Sequence, residues 1–255
     1  MQNQDMPLAS LDTQIHENIE HYSKPILEGE IKGIHVEHVV LATNHSIVDS
    51  AQDGRKSVYL FIKGSGAVFT GNTSYEIVSE TIFLPNAIAN ITIKSANASS
   101  LHYLKVSCEL TAQDYIDLNN LPAEHTQDVY CAKFSECQSY SETIKSPNTV
   151  SRTILSNEYI PRVAMGTVQT TGPDKVAAHA HPMLEQLFLG LSENHCIVYA
   201  DNSKVDFPAY SVLHIPLGSS HSVSVGKDKV MNYVWMDFFL DKKGEEWLET
   251  HKVDE

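Results

Sequence analysis

From Ile31 onward, apolar and polar positions alternate in short runs that turn residues interrupt. Gly33-Ile34-His35-Val36-Glu37-His38-Val39-Val40-Leu41 alternates and is rich in β-branched side chains. The run 57–62 follows and stops at Lys63-Gly64-Ser65-Gly66. Ala67-Val68-Phe69-Thr70 leads into Gly71-Asn72, and further runs cover 82–86, 88–93 and 101–106. A period of two, with β-branched enrichment and Gly, Asn or Pro at the breaks, predicts strands. The pattern returns over 162–169, 177–181, 184–191, 196–200, 211–215, 220–225 and 231–240. The chain therefore reads as all-β, in two blocks.

Between the blocks the alternation fails. Residues 112–119 predict a short helix ended by Leu121-Pro122, because the residue before a proline disfavours helical backbone. Residues 138–151 are polar and loop-like. The expected organisation is an N-terminal arm (1–30), a first barrel (31–110), a linker (111–150), a second barrel (151–242) and a C-terminal helical tail (243–255). Residues 11–21 predict a short helix or a loose arm, and Trp247 and Leu248 give the tail an apolar face.

The two blocks repeat one another. Val68-Phe69-Thr70-Gly71-Asn72 resembles Val198-Tyr199-Ala200-Asp201-Asn202, and Leu84-Pro85 corresponds to Ile215-Pro216. Five residues beyond each proline stand Asn90 in the first copy and His221 in the second, so the second copy keeps a metal-type side chain where the first has none.

Composition narrows the field. With 255 residues, 42% hydrophobic, the chain has enough apolar material for two modest cores. Its formal charge of −14 repels phosphate backbones and anionic bilayers, so neither nucleic acid nor membrane is an expected partner. No run approaches the roughly 20 apolar residues of a membrane span. Met1-Gln2-Asn3-Gln4-Asp5 lacks the basic start of a signal peptide, which predicts a cytoplasmic protein. Cys108, Cys131, Cys137 and Cys196 form no CxxC pair and read as reduced thiols; a Cys131–Cys137 bridge would need an oxidising compartment.

The segment Ala178-His179-Ala180-His181-Pro182-Met183-Leu184-Glu185 carries the strongest chemical signal. Histidines at i and i+2 of a strand share a face. A lone His-x-His on a strand usually faces solvent, but Glu185 lies among Met183, Leu184, Leu187 and Phe188, a setting too apolar for an idle charge. Pro216-Leu217-Gly218-Ser219-Ser220-His221 supplies a turn feeding a strand that begins with histidine. Imidazole and carboxylate suit Zn, Mn, Fe, Co, Ni or Cu. Four such side chains would leave one or two coordination positions for water or substrate.

HxHxxxE followed by PxGxxH resembles the paired motifs of the cupin superfamily, and the duplication resembles bicupins. The resemblance implies tandem jelly-roll-type barrels, and His179, His181, Glu185 and His221 as ligands of one divalent ion (Zn, Mn, Fe or Ni). It also implies a first barrel without metal and a homo-oligomer, most simply a dimer. Gly172, Gly190 and Tyr210 depart from the family pattern at turns. Within bicupins the layout is similar to the uronate ketol-isomerases (4-deoxy-5-hexosulose-uronate isomerase and 5-deoxy-glucuronate isomerase). Those enzymes place four residues between the second histidine and the glutamate; Glu185 comes after three. Ureidoglycine aminohydrolases are similar in size, but their ligand order puts a glutamate before the histidines.

A Lewis-acid isomerisation of a small, polar, sugar-like or carboxylated metabolite is the leading expectation, with the ion stabilising an enediolate and a nearby base moving the proton. Arg162 is the candidate carboxylate binder. Asp237 and Tyr199, then Gln169 and Tyr233, are polar residues within apolar strands and candidate helpers. Glu185 doubles as proton carrier if loosely held, and His214 reads as structural. A cupin-type dioxygenase and a non-catalytic small-molecule binder are the rival classes.

Overall fold

The computed structural model describes residues 6–14 and 19–244. The chain runs through β1 (Leu8–Ser10), β2 (His21–Ile26), β3 (Ile34–Leu41), β4 (Ser46–Ser50), β5 (Arg55–Lys63), β6 (Gly66–Thr70), β7 (Thr73–Ile77), β8 (Thr81–Leu84), β9 (Asn90–Ser95) and β10 (Leu101–Glu109). Helices α1 (Ala112–Asn120) and α2 (Ala123–Thr126) follow, then β11 (Tyr130–Lys133), β12 (Ser139–Tyr140), β13 (Val150–Leu155), β14 (Val163–Thr171) and β15 (Asp174–Ala180). The last strands are β16 (Leu184–Gly190), β17 (His195–Ala200), β18 (Ser203–Pro208), β19 (Ser211–Ile215), β20 (Ser220–Val225) and β21 (Val230–Phe239).

Two compact units result. One comprises Asp12–Glu136 and Glu158–Pro161; the other comprises Cys137–Asn157 with the described parts of Met1–Leu11 and Arg162–Glu255. Each is a jelly-roll-type barrel of two antiparallel sheets. In the first unit the sheet orders are β11-β8-β5-β10-β3-β2 and β4-β9-β6-β7. In the second they are β1-β19-β16-β21-β14-β13-β12 and β15-β20-β17-β18. Strand for strand, β2 to β10 of the first unit match β13 to β21 of the second.

Inward residues at every second position make each core. In the first barrel Val39, Leu41, Tyr59, Phe61, Leu101 and Tyr103 meet Val68, Ile77, Ile91 and Ile93 from the facing sheet. In the second, Val168, Phe188, Leu213 and Tyr233 meet Val198, Phe207, Val223 and Val225. Close packing sets individual residues. A Cβ at Gly166 on β14 would lie 2.3 Å from the ring of Trp235, its cross-strand partner on β21, so glycine is what lets that indole cross the strand.

The helix after the first barrel is longer by one residue than the 112–119 expected. Thr111 caps it, with the Thr111 side chain accepting from the Asp114 N–H and the Asp114 carboxylate accepting from the Thr111 N–H. The segments read as arm and linker divide between the barrels. Leu8–Ser10 is an edge strand antiparallel to β19, and His21–Ile26 pairs with β3; the helix or loose arm expected over 11–21 includes 15–18, which lie outside the described residues. Tyr130–Lys133 pairs with β8, and Ser139–Tyr140 with β13. The exposed ladder edges of β19 and β8 explain this: unpaired N–H and C=O groups there recruit whatever chain is near. The tail helix expected beyond 243 lies outside the described residues from 245 onward. None of the four cysteines is in a disulfide. Among the described residues no helix is long and apolar enough to cross a membrane.

Candidate metal centre

Three imidazoles converge inside the second barrel. His179, His181 and His221 are buried, and one ligand-type nitrogen from each lies within 4.8 Å of the others. The ring centroids are 4.9 Å apart for His179 and His181, 4.3 Å for His179 and His221, and 5.4 Å for His181 and His221.

Local structure delivers each ring. β15 and β20 are antiparallel, with Val176 opposite Val223 but His179 opposite His221, so β15 carries one extra residue between them. This bulge keeps Val176, His179 and His181 all pointing inward although their spacing is three, then two. On β20, the turn Pro216-Leu217-Gly218-Ser219 closes through the Ser219 N–H donating to the Pro216 carbonyl at 3.1 Å. Gly218 adopts φ +74°, which a side chain would disfavour. The strand then alternates, with His221, Val223 and Val225 inward.

The rings are also oriented. His179 Nδ1 lies 2.8 Å from the Ala177 carbonyl, which can only accept, so Nδ1 is the donor and Nε2 is the candidate ligand atom. His221 Nδ1 makes the same, longer contact with the Ser219 carbonyl at 3.4 Å.

Glu185 does not join them. Its Oε2 accepts from His214 Nε2 at 3.2 Å on the other face of β16. The adjacent residue, Gln186, lines the cavity instead. Successive residues of a strand face opposite ways, so an offset of one residue exchanges carboxylate for amide. Gln186 is 5% exposed, and its Nε2 donates to Asp237 Oδ1 at 2.6 Å. Its Oε1 is buried without a hydrogen-bond partner. Leaving such an acceptor unsatisfied costs about 1–3 kcal/mol, and a cation beside it removes the cost. Three imidazoles and an amide oxygen fit a first-row divalent ion.

The cavity beside the histidines has a volume of about 400 Å³. β21 contributes Tyr233, Trp235 and Asp237, and β16 contributes Gln186 and Phe188. The segment before β13 contributes Tyr140, Glu142 and Lys145. Burial raises the Asp237 carboxyl to about 7; the Gln186 hydrogen bond opposes that, the Glu142 charge adds to it and Lys145 opposes it. Burial likewise lifts the hydroxyls of Tyr140 and Tyr233 above their ordinary range, so both are neutral hydrogen-bonding groups.

Of the residues singled out in the sequence, Asp237 and Tyr233 line this cavity; Arg162, Tyr199 and Gln169 do not. Arg162 sits at the start of β14 with φ +62°, and its Nη1 donates to the Phe239 carbonyl at 3.2 Å. Tyr199 is half-buried on β17 beneath the Lys204 ammonium, 5.9 Å from the ring centroid. Gln169 is exposed. The sequence reading missed Gln186, Glu142 and Lys145. Gln186 had a signal, since four residues between the second histidine and the ligand, counted from His181, reach it. Glu142 and Lys145 had none, because their segment reads as an ordinary polar loop.

No protein-family model matches the chain, and no curated protein matches it. Solved structures do. An oxalate decarboxylase from Lactobacillus farciminis, in a formate complex, superposes with a TM-score of 0.62 at 13% identity, covering 96% of this chain and 90% of its own. Ylba from E. coli gives 0.68 at 12% identity, with 92% and 90% covered. A cupin 2 conserved barrel domain protein from Leptotrichia buccalis gives 0.60 at 15%, with 89% and 92% covered. The fold is the cupin fold, present twice. At these identities the likeness concerns the bicupin fold alone.

Proposed function

We propose that the second barrel binds one divalent metal ion through His179, His181, His221 and the Gln186 amide oxygen, and that this bicupin isomerises a small, polar, carboxylated metabolite. The observation that carries the reading is the convergence of three buried imidazoles within 4.8 Å beside a cavity of about 400 Å³. A bound Zn, Mn, Fe or Ni ion supplies Lewis acidity at a carbonyl or hydroxyl oxygen.

The remaining work falls to the chain. Asp237 holds the Gln186 amide nitrogen, leaving the buried Oε1 as the amide's ligand atom. Asp237 and Glu142 are the carboxylates lining the cavity, and proton movement between adjacent carbons belongs to them. Val168, Val176, Val223 and Phe188 form an apolar wall that limits water around a reactive intermediate. The formate complex of the oxalate decarboxylase neighbour supports a small carboxylate as an occupant of such a fold.

The test begins with elemental analysis of native protein, expected to give one divalent ion per chain. Turnover is then followed with uronates and keto sugars. Interconversion without oxygen uptake is the expected result. Native protein without stoichiometric metal would overturn the reading. Oxygen consumption by an iron- or copper-loaded sample would replace the isomerase with a dioxygenase, and ligand binding without turnover would replace it with a binding protein.

A further inference from the structure

Lys145 is a charged residue for which the fold alone gives little reason. Its side chain is 7% exposed, although nothing about residues 138–151 requires an ammonium indoors. Burial of such a group is costly unless its protons find acceptors. Lys145 Nζ donates to Ser151 Oγ at 3.0 Å, pairs with the Glu142 carboxylate, and stands 5.3 Å over the centre of the Tyr140 ring. Two of its three protons are thereby engaged.

The segment carrying it is built onto the barrel. The bulge in β15 leaves the Ala177 N–H without a strand partner, and the Ile144 carbonyl accepts it at 2.8 Å. Lys145 bridges Val176 in antiparallel fashion. Asp174 then fixes the segment's far end, accepting from Ser146 Oγ at 2.6 Å, Thr149 Oγ1 at 3.1 Å and Thr170 Oγ1 at 3.0 Å. The bulge that aims His179 inward is thus also the dock for the strand segment that brings Lys145 to the cavity.

Charge decides what such a cavity attracts. Because Glu185 faces away and Gln186 faces in, the candidate ligands are all neutral. The other charged groups lining the cavity are Glu142, Lys145 and Asp237. With a divalent ion bound, the local sum is positive whether or not Asp237 is ionised, inside a chain of formal charge −14. An anion is the occupant that neutralises it.

Resting on the metal reading above, we propose that Lys145 is the specificity-determining residue of this site, binding the carboxylate of a small anionic metabolite whose other end faces the three histidines. Glu142 and Ser151 hold two of its protons, and the ligand carboxylate takes the third.

The test uses full-length, metal-loaded protein and calorimetric titration with the two- to five-carbon α,ω-dicarboxylates oxalate, malonate, succinate and glutarate, and with their neutral diamides. Wild type is expected to bind at least one dicarboxylate and none of the diamides. K145M should weaken that binding about tenfold or more with metal content unchanged, K145R should retain most of it, and E142Q should tighten it. If K145M fails to fold, K145Q takes its place in the same titration, with the same loss expected. Equal affinity for acid and amide, no dicarboxylate binding by metal-loaded wild type, or unchanged affinity in the folded variants would overturn the proposal. Metal analysis of the same samples separates this from failure of the metal site itself: a wild type without metal sinks the earlier reading, whereas a metal-replete protein indifferent to Lys145 sinks only this one.

Discussion

Glu185 and Gln186 are neighbours in the chain and lie on opposite faces of one strand, the carboxylate on His214 and the amide on Asp237. That single step of the pleat decides the charge of the candidate metal centre. It leaves four neutral candidate ligand groups, with the Asp237 carboxylate one hydrogen bond behind the amide.

The exchange is testable. E185Q should leave metal content unchanged and cost about 1 kcal/mol or less of stability, because the pair it weakens is partly exposed. Q186E should place a second carboxylate against buried Asp237, destabilising the metal-free protein by roughly 1–3 kcal/mol while raising metal affinity. Urea unfolding with and without metal reads both effects. Loss of metal in E185Q would return Glu185 to the ligand set.

H179A and H221A should each lose more than about 100-fold in metal affinity, exceeding the usual effect of removing a group behind a ligand. Far-ultraviolet circular dichroism should be unchanged, since the apolar residues of the barrel core, among them Val198, Phe207, Leu213 and Val225, are left in place, although His221 gives up its edge contact with Phe188. A purified H179A/H221A double variant that still holds one equivalent of metal would place the ion elsewhere.

Much of this architecture was legible in the sequence. Period-two alternation marks β3, β5, β6 and β8 to β10 in the first barrel and β14 to β17 and β19 to β21 in the second, but not the shorter or more polar β2, β4, β7, β13 and β18, and the match of Leu84-Pro85 to Ile215-Pro216 marks the duplication. The histidines were legible because bulge and turn chemistry are local. What was hidden depends on parity or on distant partners. The choice between Glu185 and Gln186 turns on one residue of register, which apolar neighbours on both faces of β16 do not fix. Tyr140, Glu142 and Lys145 become cavity residues only because the β15 bulge offers an open N–H more than thirty residues downstream. Leu8-Ala9-Ser10 is too short to show a period, and becomes a strand because β19 has a free edge.

Acid should weaken the first barrel. His38 and His102 are buried, with rings 5.6 Å apart, and burial holds both near about 4. For His38 the Asp12 charge opposes this and Lys24 adds to it; for His102 the His38 and Lys63 charges add and Asp12 opposes. The unfolded chain takes up these protons near 6.5 while the folded chain refuses them until about 4. Stability present at neutral pH is therefore lost progressively between about 6.5 and 4, by up to about 3 kcal/mol per ring. Urea midpoints at about pH 7 and pH 4.5 measure it, and an H38Q/H102Q variant should show a flatter dependence. Equal pH slopes for variant and wild type would rule these rings out.

The first barrel also places a charge pair where the second has its amide and acid. Lys105 pairs with Tyr59 across β10 and β5, as Asp237 pairs with Gln186 across β21 and β16. Lys105 Nζ lies 2.7 Å from the Asp49 carboxylate, and the Tyr59 hydroxyl donates to the same group at 3.0 Å. Here an ammonium supplied by the chain is the cation. K105M strands a largely buried carboxylate and should cost about 3 kcal/mol or more, because the desolvation of Asp49 is no longer offset. Replacing both partners, as D49L/K105M, removes the charge along with its partner and should recover most of that loss. Chemical denaturation of the three proteins decides the point: a K105M variant as stable as wild type would mean that solvent, not Lys105, already satisfies Asp49.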